Sequence, residues 1–139
     1  MNKERILLLA EAIEQSGRLA EPELGFNMNY FWGFVGGKIA DFARRPCGTV
    51  ACIAGHASQL AGFHYASFGA AGKWLGLEPE ESAELFYPGD TSGLRVFGWD
   101  TITPTQAGAV LRRLAETGEV DWTAVLPEDM FSRPGEGAK

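Results

Sequence analysis

Ile6, Leu9, Ala10 and Ile13 recur at three- and four-residue spacings, the mark of one buried face of an α-helix. Asn2 stands where an N-cap belongs, Gly17 where a helix stops, and Glu4, Glu11 and Glu14 fall largely off the apolar stripe. Residues 18–25 hold Pro22 and two glutamates and read as a loop. The period then changes. Phe26, Met28, Tyr30, Trp32 and Phe34 occupy every second position, which predicts an extended segment with one buried face. A short helix through Trp32, capped by Asn27 or Asn29, is the alternative. Such aromatic density reads as core before it reads as a ligand cage. Gly36-Gly37 breaks the pattern, and a short helix around Ile39 to Arg44 precedes Pro46.

From Pro46 to Gly72 the chain carries no Asp, Glu, Lys or Arg. A membrane span needs about 20 mostly apolar residues, and this run is interrupted by His56, Ser58, Gln59, His64 and three glycines between Gly48 and Gly62. It therefore predicts a helix over 48–62 enclosed on nearly all sides by protein. On a helical wheel Val50, Ile53, Ala57 and Leu60 form an apolar stripe, Ala51, Gly55, Ser58 and Gly62 a stripe of small residues, and Cys52, His56, Gln59 and Phe63 a third. The small stripe suits the close approach of a second helix.

Ser67 can cap a short helix carrying Phe68, Ala71, Trp74 and Leu75 and ending at Gly76. Pro79 opens another, with Glu80, Glu81 and Glu84 near its positive end, so the two make an αα-hairpin turning at 76–78. Residues 89–102 are turn-rich, with room for a short strand at 94–97. Thr103-Pro104-Thr105-Gln106 is a capping box with proline at the first helical position. Ala107, Val110, Leu111, Leu114 and Ala115 follow on one face, and Gly118 ends the helix. Asp121-Trp122 and Val125-Leu126 are expected to tuck back onto the core.

Composition narrows the function classes. Twelve Lys+Arg against eighteen Asp+Glu give a formal charge of −6, which repels phosphate backbones and argues against nucleic acid or an anionic membrane as partner. Two cysteines in 139 residues do not make a disulfide scaffold and suit a reducing, cytoplasmic setting. The N-terminal Met1-Asn2-Lys3-Glu4-Arg5 leads into an acidic helix rather than a signal peptide. The outline of a DNA-reading helix pair over 70–87 fails for the same reason as the net charge, since glutamates stand where a base reader needs Arg, Lys or Asn.

The reactive side chains cluster at Cys47, Cys52, His56 and His64. Cys52 and His56, four apart on a helix, could give two ligands to one zinc ion, but Cys47 and His64 lie at opposite ends of a continuous helix and cannot complete the tetrahedron. A further ligand would have to come from elsewhere, such as Asp41 or Asp100. Cys47, placed just before the expected helix, could be a thiolate nucleophile. Its Cys-Gly start resembles the nucleophile helix of papain-like and bacteriocin-processing cysteine peptidases. The upstream glutamine of those families is missing from positions 41–46, and no histidine follows His64. A Cys47–Cys52 disulfide is excluded on a helix, where five residues set the Cα atoms about 7.5 Å apart on different faces. Against all of these stands plain packing: Cys52 as a small core residue and His56 bonded inside a helix interface. Asp90 and Asp100 flank a glycine-rich loop with Trp99, a candidate small-ligand or cation site that also reads as ordinary Asx turns.

Phe26-Asn27-Met28, the string Cys47-Gly48-Thr49-Val50-Ala51-Cys52-Ile53-Ala54-Gly55-His56-Ala57, Leu75-Gly76-Leu77, Leu85 to Pro88 and Leu114 to Trp122 together resemble a group of small uncharacterised bacterial and phage-associated proteins. The resemblance implies no activity. Members of that group often carry an aromatic residue where His56 stands, which implies that His56 is not a shared base or ligand.

The expected architecture is mainly α: a compact single-domain helical bundle over 1–131 around a central buried helix, with one short β-pairing between the aromatic segment and residues 94–97, and a flexible tail over 132–139. The expected function is a protein-interaction or accessory module without catalytic activity or cofactor, meeting a protein partner or a second copy of itself. The competing class is a metal-binding or thiol-dependent protein using Cys47, Cys52 and His56.

Overall fold

The computed structural model describes residues 1–18, 25–26, 28, 33–34, 49–63, 68–88, 95–96 and 101–132. Their order is α1 (Lys3–Arg18), β1 (Gly25–Phe26), β2 (Gly33–Phe34), β3 (Thr49–Ala51), α2 (Ile53–Leu60), α3 (Phe68–Trp74), α4 (Pro79–Phe86), β4 (Arg95–Val96), α5 (Pro104–Thr117) and β5 (Phe131–Ser132). Two 3₁₀ turns, Trp122–Ala124 and Glu128–Met130, lie between α5 and β5. The fold is mainly α, as the helical periodicities require.

α1 and α5 pack antiparallel and form the main helix pair. Ile6, Leu9, Ala10 and Ile13 of α1 are fully buried, in one cluster with Val110, Leu111 and Leu114 of α5. The register is fixed outside that core by Arg112. Its Nε donates to Glu14 at 3.0 Å, and its Nη2 donates to Glu14 at 2.5 Å and to Glu11 at 3.3 Å. This guanidinium holds the Glu14 carboxyl below the ordinary carboxylate range. Gly17 does not end α1, which runs on to Arg18. A Cβ there would stand 2.9 Å from the Pro104 Cβ, so the glycine serves the close approach of α5.

The cap signals are realised as read. Asn2 Oδ1 accepts from the Arg5 amide at 3.1 Å. Thr103 Oγ1 accepts from the Gln106 amide at 3.0 Å, and Gln106 Oε1 accepts in return from the Thr103 amide at 2.9 Å. Gly118 closes α5 at φ 81°. Thr103→Ala is expected to cost about 1 kcal/mol in urea-induced unfolding and Thr103→Ser much less, because only the first orphans the Gln106 amide.

Two expectations are corrected. The central helix does not span 48–62. Thr49–Ala51 is a strand, Cys52 is the extended N-cap (φ −78°, ψ −173°), and the helix begins at Ile53. β3 is the middle strand of a three-stranded sheet, parallel to β1 and antiparallel to β2. Pairing on both sides satisfies backbone groups that a first helical turn would leave open, which favours the strand where periodicity cannot decide. What remains of the central helix is enclosed: every residue from Ile53 to Ser58 is buried. Its buried hydroxyl is satisfied, Ser58 Oγ donating to the Ala54 carbonyl at 2.9 Å.

The second correction concerns the β-pairing. The aromatic segment pairs with β3 through Gly33–Phe34, not with residues 94–97. β4 instead pairs antiparallel with β5, which includes Ser132, the first residue of the expected tail. Nor is the aromatic alternation one continuous strand, since Met28 sits in a turn with its side chain buried. The helix expected at Ile39 to Arg44, the Ser67 cap and residues 133–139 lie outside the described residues. Trp122 and Leu126 tuck back as expected, and Trp122 Nε1 donates to the Glu84 carbonyl at 2.9 Å, tying the segment after α5 to α4.

Candidate functional site

Of the candidate chemistry, the structure describes Cys52 and His56. Cys47, His64, Asp90 and Asp100 lie outside the described residues. Because the helix starts at Ile53, its N-terminal amides face Cys52 and not the position after Cys47. Cys52 is 2% exposed and not in a disulfide. Burial pushes its thiol up to about 11, although hydrogen bonding from the Gly55 and Ala54 amides offsets part of that cost. It is therefore a protonated thiol at neutral pH, the reverse of what a nucleophile needs.

His56 is committed elsewhere. Its Nε2 lies 2.7 Å from the Gly25 carbonyl oxygen, which can only accept, so Nε2 carries the proton and donates. The Phe26 ring lies against the imidazole, centroids 6.0 Å apart. Burial drives the imidazole down to about 4, against a smaller opposing effect of the Gly25 bond, so it is neutral at pH 7. The pair thus joins β1 to α2: His56 clasps the strand, and Cys52 caps the helix. Among the described residues no group of three His, Cys, Asp or Glu side chains is arranged to hold a metal ion. That bounds Cys52 and His56 to two of the ligands that a tetrahedral site needs.

A second location was not foreseen. α3 and α4, joined by the turn at 75–78, form a hairpin in which Gly72 of α3 meets Ser82 of α4. A Cβ on Gly72 would collide with the Ser82 hydroxyl, so the helices cross as closely as the glycine allows. Beside this crossing lies a half-open cleft of about 480 Å³, lined by Phe68, Gly69 and Lys73 of α3, Leu77 and Glu78 of the turn, and Pro79, Ser82, Ala83, Phe86 and Tyr87 along α4. The rings of Phe68 and Phe86 are 5.8 Å apart and those of Phe68 and Tyr87 are 4.9 Å apart, forming an aromatic end. Tyr87 is 38% exposed, which makes it one of the few large apolar side chains at the surface among the described residues. The volume lies within the range of ligand pockets, and the wall is mostly carbon with a few polar groups. The sequence held a signal for it: both helices of the expected hairpin carry aromatics near the end away from the turn, and an aromatic pair facing across so short a hairpin cannot be wholly covered by it.

No helix among the described residues is long and apolar enough to cross a membrane. No family model, no curated protein and no solved structure matches this chain.

Proposed function

We propose that this chain is a protein-interaction module without catalytic chemistry of its own, and that the cleft between α3 and α4 is its binding surface. The cleft carries the reading: about 480 Å³ of space walled by Phe68, Leu77, Pro79, Ala83, Phe86 and Tyr87. A cavity of this kind receives the large apolar anchor on which most of the energy of a protein interface concentrates. The two reactive side chains among the described residues, Cys52 and His56, support the same reading, because neither lines the cleft and each is engaged in joining β1, β3 and α2. The net charge of −6, with Glu78, Glu80 and Glu81 at the start of α4, favours a protein partner over a phosphate backbone. The buried thiol of Cys52, which forms no disulfide, fits a protein that works in a reducing cytoplasm. The strand–cap–helix role of Thr49 to Ala57 likewise supports a structural meaning for the string by which the sequence resembles the small bacterial and phage-associated proteins.

Selection of a displayed library of helix-patterned 12-residue peptides tests the proposal. Binders should enrich on the wild-type chain and be lost on two blocked variants, Gly69→Leu and Ala83→Trp. Gly69 is suited to this use, since a Cβ there meets nothing within 4 Å and a larger side chain can enter the cleft without displacing neighbours. Circular dichroism and thermal melting establish that both variants are folded. Failure to enrich any binder, or enrichment that survives both blocks, would overturn the assignment.

A further inference from the structure

We propose that the cleft recognises an amphipathic helical segment bearing a large apolar residue and, four positions further on, a carboxylate that meets Lys73. The inference rests on the cleft being the binding surface, and it names the chemistry of the occupant. The cleft is graded along its length. Its aromatic end, Phe68 with Phe86 and Tyr87, lies away from the hairpin turn, while Lys73 and Glu78 lie toward it. Five residues of α3 separate Phe68 from Lys73, about 7.5 Å of helix at 1.5 Å per residue. An apolar group seated on the rings therefore leaves the next turn of the same partner helix, about 6 Å along at position i+4, beside the ammonium.

Lys73 is the one cation among the described residues lining the cleft, and it forms no ion pair with the described residues. Glu78, its acidic neighbour on the rim, is within the cleft wall but does not approach Lys73 closely enough to pair. An ammonium left without a counter-charge at the edge of an apolar cleft has its Coulomb partner still to gain, and the ligand is the source. Glu80 and Glu81 stand in the first turn of α4, on the α4 side of this end. A second carboxylate placed beside α4 would be repelled, which favours the register that sets the acid on Lys73. That restriction gives specificity and orientation, with the apolar anchor toward Tyr87 and the acid toward the turn. The short helices limit the occupant too: α3 has 7 residues and α4 has 8, about 10–12 Å of wall, which accommodates two turns of a partner helix.

The test uses the cleft-dependent peptides from the selection above. Those peptides should share an acid four residues after their apolar anchor. Replacing it (Glu→Gln in the peptide) should weaken binding about threefold to fivefold, in keeping with a partly exposed ion pair. Lys73→Met should do the same, and the two changes together should weaken binding no more than either alone. Lys73→Glu should shift preference to peptides carrying Lys at that position. Cleft-dependent binders with no acid at i+4, or binders indifferent to Lys73→Met, would leave the binding surface standing and overturn this inference alone. If the cleft is saturated by decanoate and by no peptide, the occupant is a small amphiphile, and both proposals fall.

Discussion

Lowering the pH from 7 to 5 is expected to reduce the unfolding free energy by about 2 kcal/mol through His56 alone. The imidazole is held near pKa 4 in the fold, by burial first, with the bond to Gly25 opposing. In the unfolded chain it returns to about 6.5. Between those values the unfolded state binds a proton that the native state refuses, so stability is full above pH 6.5 and falls as the pH drops toward 4. The carboxylates move later. Glu14 is held down by its hydrogen bond to Arg112, and Asp121 by its hydrogen bond to Thr123. Their unfolded values lie near the ordinary carboxylate range, so they add to the loss mainly below pH 5. Cys52, one turn before His56, stays protonated throughout this window. Urea unfolding of the wild type and of His56→Gln at pH 7, 6 and 5 checks the assignment. The variant should be less stable at pH 7, having lost the 2.7 Å bond to Gly25, yet nearly flat between pH 7 and 5. Parallel curves for the two proteins would show that His56 is not the group responsible.

The same residue shows where the sequence was legible and where it was not. The α1 and α5 stripes could be read because a long amphipathic helix repeats its signal over several turns, and all four residues read as the buried face of α1 are 0% exposed. The Thr103–Gln106 box could be read because its donors and acceptors lie within one turn. The start of α2 could not. Residues 49–52 are apolar or small on every side, and such a run fits a buried strand as well as a helix. Their conformation is decided by β1 and β2, which arrive from a distance in sequence. That error moved the candidate nucleophile as well, because a helix beginning at Ile53 aims its amides at Cys52. The packing reading of His56 offers Gln59 or a backbone carbonyl inside a helix interface, whereas the bond is to the carbonyl of a strand, β1. The partner, Gly25, is 31 residues away, and no spacing rule reaches that far. The cleft is a tertiary property of the same kind, since it depends on how closely Gly72 lets α4 cross.

Alanine at two glycines, one within α3 and one just after it, should act in opposite directions. Gly69→Ala should stabilise the protein by about 0.5–1 kcal/mol, because the position is helical and exposed and a Cβ there meets nothing within 4 Å, so the change only removes freedom from the unfolded chain. Gly76→Ala should cost about 2–3 kcal/mol, from two sources. Its φ is +73°, a conformation that costs an L-residue about 1–2 kcal/mol. Its Cβ would also stand 2.9 Å from the Asn2 nitrogen and 3.1 Å from the Met1 Cα, both backbone atoms. That backbone is not free to step aside. The Asn2 amide donates to the Leu75 carbonyl at 2.8 Å, while Arg5 donates to the Trp74 carbonyl at 2.9 Å and lies 5.0 Å from the centre of the Trp74 ring. The start of α1 thereby satisfies carbonyls at the end of α3 that no helix can satisfy internally. Gly76→Asn separates the two costs: asparagine tolerates the left-handed region but keeps the Cβ, so its loss should fall between zero and that of alanine. Urea unfolding of the three variants reads the differences directly. If Gly76→Asn matched the wild type, the steric part would vanish, and the N-terminus would not rest against the end of α3.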